Sequence, residues 1–274
     1  MKILNKVKTL VIKDGVVIDP ALRDDTSVIS RNKDRHIVSS CASRTVRAIA
    51  ALFQRHVKFP ERQQLQAVKD GFFAISGIPS VIGAIDCSHI PIQSPGGPQG
   101  ELYRCRKGFF SLNVQAVCGP DLTFYNVVCR WPGSVHDSRI FKNSSLYAQM
   151  QAGIYDGHLL GDSAYQLISF LLTPVWHPTQ QKEFRYNLAH SKTRNPIERT
   201  FGVLKRRFRC LAIPMRTNLD TAMATICSAA VLHNIEVKNR NGMEWKTMMM
   251  MVLMMVVLLM MVLMMMLTMK VDRS

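Results

Sequence analysis

The sequence predicts an α/β domain in which a mixed sheet is flanked by helices. Three observations predict it. VIGAIDC (81–87), SLNVQAVC (111–118) and LTFYNVVCR (122–130) read as strands, the last two flanking the turn Gly119-Pro120-Asp121. HLLGD (158–162) repeats the pattern of the first strand, a short apolar run that ends in a carboxylate. Ile197, Phe201, Leu204, Phe208 and Leu211 recur at helical spacing, which predicts a helix laid on the sheet and begun by Asn195-Pro196.

Length and composition bound the rest. At about 150 residues per domain, 274 residues make one or two domains. With 47% apolar and 20% charged residues, wholesale disorder, a collagen-like chain and a disulfide-knot scaffold are excluded. The net charge of +16 predicts attraction to polyanions such as nucleic acid. Seven cysteines, an odd number with no C-x-x-C pair, read as reduced and mostly buried thiols. Lys6, Lys8 and Lys13 interrupt the apolar N-terminus, so no secretory leader is expected.

Four segments follow. Residues 1–35 carry no clear periodicity. In 36–79, Val46, Ile49, Leu52 and Phe53 mark a basic amphipathic helix ended by Phe59-Pro60. A second helix over 61–75 closes near Gly77 and Pro79, and the pair reads as packing helices or as half of a helix-turn-helix. Residues 80–240 form the main domain, in which 93–100 and 131–134 read as exposed turns. The segment 241–274 contains twenty consecutive Met, Val and Leu residues from Met248 to Leu267. That run is long enough to cross a bilayer, yet it holds no interfacial Trp or Tyr and no small-residue packing motif. Its Met-rich composition marks it as a low-complexity tail rather than a membrane span or a packed helix.

The chemistry is expected from acids. Asp86 and Asp162 each close an apolar strand, where an ionised carboxylate needs a partner or a cation. Glu198 lies one residue off the apolar stripe of its helix, on a row continuing through Gly202, Lys205 and Arg209. Acid, gap and base on one row suit a metal site that receives a nucleic-acid backbone. Asp137 is a fourth acid, read either as a first-turn acid of the helix that Ser134 or His136 caps or as a further metal ligand. A hard-oxygen donor set of this kind selects Mg²⁺ or Mn²⁺. Residues 182–209 hold nine Lys and Arg against two acids. Arg199, Lys205, Arg206 and Arg209 there, with Arg104, Arg106 and Lys107, are the expected phosphate contacts.

GAIDCSHIPI, SLNVQAVC, WPGSVHDSRIF, LLGDSAY and NPIERTFGVLKRRFRCL, followed by AVLHNI (230–235), resemble in order and spacing the PIF/Harbinger-type DDE transposases and the nucleases derived from them. The similarity runs from about residue 36 to 238. The 35 residues between Asp162 and Glu198 match the acidic spacing of many such enzymes. Residues before 36 do not resemble the family's DNA-binding N-terminus, and the Met-rich tail is foreign to it.

The resemblance implies an RNase H-like fold with Asp86, Asp162 and Glu198 as the catalytic acids and Asp137 as an additional metal ligand. It implies a nuclease that cleaves DNA with two divalent ions about 3.5–4 Å apart, Asp86 bridging both. It implies a nuclear, and in part cytoplasmic, location and a separate Myb/SANT-like DNA-binding partner. A catalytically silent descendant that keeps the fold and the basic surface as a DNA-binding or scaffold protein is the alternative.

Overall fold

The computed structural model describes residues 11–13, 16–18 and 40–239. A small antiparallel pair, β1 (Val11–Lys13) and β2 (Val16–Ile18), precedes the main body. Helix α1 covers 40–50. It is followed by α2 (Phe53–His56) and α3 (Arg62–Ser76), the latter capped by Gly77 in the left-handed conformation. The predicted pair of N-terminal helices is therefore present. Ile49, Val57, Val68 and Phe72 are buried in the same core as the sheet, so these helices are part of the sheet's own packing.

The main sheet comprises β3 (Val81–Pro91), β4 (Ser111–Cys118), β5 (Phe124–Pro132), β6 (His158–Leu160) and β7 (Leu171–Leu172) in the order β5-β4-β3-β6-β7. The first three strands form an antiparallel meander, while β6 and β7 join β3 in parallel. Helices α4 (Asp137–Lys142) and α5 (Ser145–Gln151) connect β5 to β6, and α6 (Gln181–Arg207) and α7 (Leu219–Asn239) follow the sheet. This mixed sheet flanked by helices is an RNase H-like fold.

Strand β3 organises both layers. Ala84 joins the core shared with α6 and α7, whereas Ile82 and Ile85 join the core shared with α4 and α5. A register irregularity between Val81 and Gly83 lets Val81 and Ala84 face the same layer three residues apart. Gly83 is required there, because a Cβ would lie 2.6 Å from a Val117 methyl and 3.0 Å from a Leu159 methyl. All eight residues of β4 are buried, as expected of the strand with a neighbour on each edge and a layer on each face.

The structure departs from expectation at four places. Strand β3 continues to Pro91, so Asp86 lies inside the strand rather than at its end. Trp131 and Pro132 belong to β5 rather than to an exposed turn, and Gly133 beside them is buried. Asn195 and Pro196 lie within α6, which starts at Gln181 under a capping box formed by Gln180 and Glu183. Arg209 sits in a separate 3₁₀ turn, Arg209–Leu211, beyond the end of α6. The run 248–267 lies outside the described residues, among which no helix is long and apolar enough to cross a membrane.

Asn234 locks α7 to the sheet. Its amide oxygen accepts from the Phe124 N–H at 2.8 Å, and its amide nitrogen donates to the carbonyls of Phe124 and His56 at 2.7 and 2.9 Å. Replacing it by alanine leaves three backbone groups without this partner. Asn234→Ala is expected to lower stability by roughly 3 kcal/mol, measured by urea denaturation. A loss below about 1 kcal/mol would show that apolar packing alone seats the helix.

Candidate active site

Asp86 arises because the pleat of β3 turns its sixth residue toward the layer of α6. Its carboxylate receives the Cys87 N–H on Oδ1 at 2.8 Å and the Arg194 Nη1–H on Oδ2 at 2.9 Å. Burial is the largest influence on it and raises its pKa from 3.8 to about 6. Arg194 and the Cys87 N–H counter part of that rise, and the neighbouring negative charge of Asp162 adds to it. The structure therefore brings Asp86 and Asp162 within electrostatic reach of each other.

Asp162 follows the buried end of β6, and its Oδ1 accepts the Ala164 N–H at 3.0 Å. Glu198 comes from α6 and is half exposed, with Arg194 donating to it from one turn earlier. A single guanidinium thus joins Asp86 and Glu198, which are 112 positions apart in the chain. Lys205, further along the same side of α6, donates to the His89 carbonyl at 2.9 Å and ties the helix to β3 just past Asp86.

Asp137 sits at the start of α4, with the His136 ring accepting from Ser138 N–H as the cap. Asn113 donates to its Oδ1 at 2.9 Å and to the Val135 carbonyl at 2.8 Å, which orients the carboxylate. Cys87 and Tyr165, whose sulfur and hydroxyl lie 3.3 Å apart, are near enough to both Asp86 and Asp137 to feel their charge. Burial first pushes both the thiol and the phenol well up, followed for the thiol by the charge of Asp137 and for the phenol by the neighbouring Cys87, with Asp86 adding to both. Cys87 and Tyr165 are thus neighbours of both Asp86 and Asp137.

His190 lies two turns before Glu198 on α6 and is fully buried. Its Nε2 donates to the Leu172 carbonyl at 3.1 Å. Nδ1 has no hydrogen-bond partner. Burial is the main reason its pKa is lowered, so it is held neutral with Asp162 and Arg194 as charged neighbours.

Among the basic residues expected at phosphate, Arg106, Lys107, Arg199, Arg206 and Arg209 are exposed. Lys107 lies close enough for its charge to lower the pKa values of His89 and Lys205, behind the larger effect of burial. Arg104 is committed locally, to Glu101 at 2.7 Å and over the Phe110 ring at 4.3 Å. Lys205 is spent on the His89 carbonyl, and Arg209 lies off the helix. Arg194, Cys87, Tyr165, His190 and Asn113 were not anticipated. For Arg194 a signal exists, a cation four residues before Glu198 on the same helix. The others are joined only through the sheet.

The donor set suits a hard divalent cation. Asp86, Asp162 and Glu198 offer carboxylate oxygens, and their three charges less that of Arg194 leave an excess of about two negative charges. The arrangement is nonetheless built around the guanidinium. No three His, Cys, Asp or Glu side chains among the described residues are grouped closely enough to hold a metal ion.

A family model described as DDE superfamily endonuclease matches residues 85–234. The chain is 37% identical over 218 residues to human "Putative nuclease HARBI1", covering 77% of this chain and 62% of that protein. It is 37% identical over 207 residues to the protein of the same name from Bos taurus, covering 74% and 59%. It is 30% identical over 218 residues to "Protein ALP1-like" of Arabidopsis thaliana, covering 72% and 52%. The chain spans about three fifths of the length of the first two relatives. No solved structure matches significantly. The chain belongs to the DDE superfamily endonucleases, in the harbinger transposase-derived family.

Proposed function

We propose that the protein is a divalent-metal-dependent nuclease that cleaves phosphodiester bonds of DNA, with Asp86, Asp162 and Glu198 as its catalytic acids and Asp137 as an additional ligand. The observation that carries the reading is that one guanidinium joins Asp86 of β3 to Glu198 of α6, with Asp162, just past β6, within electrostatic reach of Asp86. Asp86 is the central acid, the one that feels both Asp162 and Arg194. Divalent ions, when bound, supply Lewis acidity at phosphorus and lower the pKa of an attacking water. The protein's own groups shield Asp86 from solvent, orient Asp137 through Asn113 and fix α6 against β3 through Lys205.

DNA is the proposed substrate, and the exposed face of α6 supports it. Arg185, Lys192, Arg199 and Arg206 recur every seven residues on that helix and are all exposed. Successive members stand about 10 Å apart along the axis. Glu198 and Gly202 border this stripe, and a Cβ at Gly202 would meet nothing within 4 Å, so the approach to the acid is open. Nuclear localisation and a separate Myb/SANT-like DNA-binding partner accompany this reading. Arg194 lodged between two of the acids is the observation that favours the second reading, a catalytically silent DNA-binding or scaffold protein.

Manganese-dependent nicking of supercoiled plasmid separates the two. The wild-type chain is expected to nick, and Asp162→Asn to lose about 100-fold or more of that rate. Equal nicking by both proteins would remove Asp162 from the mechanism, and no nicking by either would favour the silent reading. Affinity for a random duplex should fall steeply with salt. The triple variant Lys192→Ala, Arg199→Ala, Arg206→Ala should flatten the slope of log affinity against log salt by roughly 2–3; an unchanged slope would place DNA on another face.

The raised Asp86 pKa also sets a pH dependence. Its folded value, about 6, exceeds the unfolded value of 3.8, so the favourable contribution is that of the protonated acid. That contribution is full below the lower value and is lost as pH rises through the upper one. In chelator, Asp86→Asn is expected to be about 3 kcal/mol more stable than wild type at neutral pH. The gap should close as pH falls below about 4, followed by denaturant titration across pH. A variant no more stable than wild type at neutral pH would show that Arg194 fully compensates the buried charge.

A further inference from the structure

Arg194 leaves α6 one turn before Glu198 and reaches β3, and its side chain is only 16% exposed. Its two terminal nitrogens each take one carboxylate, Asp86 on one side and Glu198 on the other. A guanidinium fork holds two carboxylates a fork's width apart, each oxygen on its own N–H. A Mg²⁺ or Mn²⁺ ion instead draws its oxygen ligands to about 2.0–2.2 Å from one centre. The two arrangements compete at Asp86 Oδ2, because an ion bound to that oxygen would lie close to the guanidinium's own positive charge. The absence of any three-ligand grouping among the described residues is what a guanidinium-held pair of acids produces.

The surroundings also offer the guanidinium a second place to go. Glu198 is half exposed at the edge of the α6 face that bears Lys192, Arg199 and Arg206. Glu198 directly precedes Arg199 in the helix, so a phosphate bound along that stripe would be a neighbour of the Arg194–Glu198 pair. An Arg–phosphate pair is bidentate and charge-assisted, like the carboxylate pair it replaces.

We propose that Arg194 is a positioning residue that acts as the resident counter-cation of Asp86 and Glu198, competing with divalent metal until a DNA phosphate draws it away, so that metal loading is coupled to DNA occupancy. The inference rests on the nuclease reading above. Linkage makes the coupling reciprocal: DNA raises the affinity for metal by the factor by which metal raises the affinity for DNA.

The test is titration of the full chain with Mn²⁺, followed by the electron paramagnetic resonance signal of the free ion, with and without a short phosphorothioate duplex that resists hydrolysis. Without DNA, Arg194→Gln is expected to bind Mn²⁺ at least tenfold more tightly than wild type. DNA should tighten Mn²⁺ binding to wild type by a comparable factor and change the variant by less than twofold. Arg194→Lys, whose single ammonium cannot bridge both acids, should fall between them, and it serves as the probe if the glutamine variant does not fold. Equal DNA-free affinities for wild type and the position-194 variants would overturn the proposal, as would equal DNA-induced tightening in all of them. If Mn²⁺ binding to wild type and to Asp162→Asn is the same, the nuclease assignment fails, a result separable from failure of the role given to Arg194.

Discussion

A carboxylate inside a buried strand has to be compensated, and the site follows from how Asp86 is compensated. At the sixth position of β3 its backbone is paired with Ala116 of β4, two residues past the end of the β6 ladder at Ala84, so the side chain cannot withdraw to solvent without disturbing the sheet. Burial of its charge would cost several kcal/mol if nothing answered it. The answer comes from α6, where Arg194 reaches across from the layer that covers this face. The seating of α6, which rests on Ile197, Phe201 and Leu204 in the core and on Lys205 at the His89 carbonyl, is thus coupled to the charge state of the acids. Since Asp162 and Glu198 bring two further charges, one guanidinium leaves the cluster under-neutralised, which is the electrostatic condition for a cation site.

The sheet was largely legible because its signals are local. SLNVQAVC coincides with β4 end to end, and the apolar stripe from Ile197 to Leu211 is buried as its spacing predicts. Asp86 reads as a strand end because the apolar run stops there. The strand continues because Cys87, Ser88 and His89 are paired by β4, a tertiary effect that hydropathy does not record. Asn195-Pro196 misled for a related reason. Proline is compatible with a helix start, yet here the helix was already nucleated by the Gln180–Glu183 capping box, and the proline costs only the hydrogen bond to the Lys192 carbonyl on the exposed side.

Within the site, the acids were legible as residue types and the groups that organise them were not. Nothing in the local sequence pairs Cys87 with Tyr165 or Asn113 with Asp137, since each pair is formed by strands and loops brought together in the sheet. Position 194 was visible as one more cation in a basic stretch. Its partner at 198 gives it a different task from that of Lys192 or Arg199, which point to solvent.

Helix α6 therefore does three jobs on three adjacent strips of its surface. One strip, with Ile197, Phe201 and Leu204, is core. The next, with His190, Arg194 and Glu198 at four-residue intervals and Lys205 beyond, faces the acids and β3. The third, with Lys192, Arg199 and Arg206, is solvated and cationic. Because the helix is rigid over its 27 residues, a ligand bound on the third strip is held at a fixed distance from the second. That geometry is why the proposed response to DNA is assigned to Arg194 rather than to a distant lysine: it lies on the strip between the cationic surface and the buried acid.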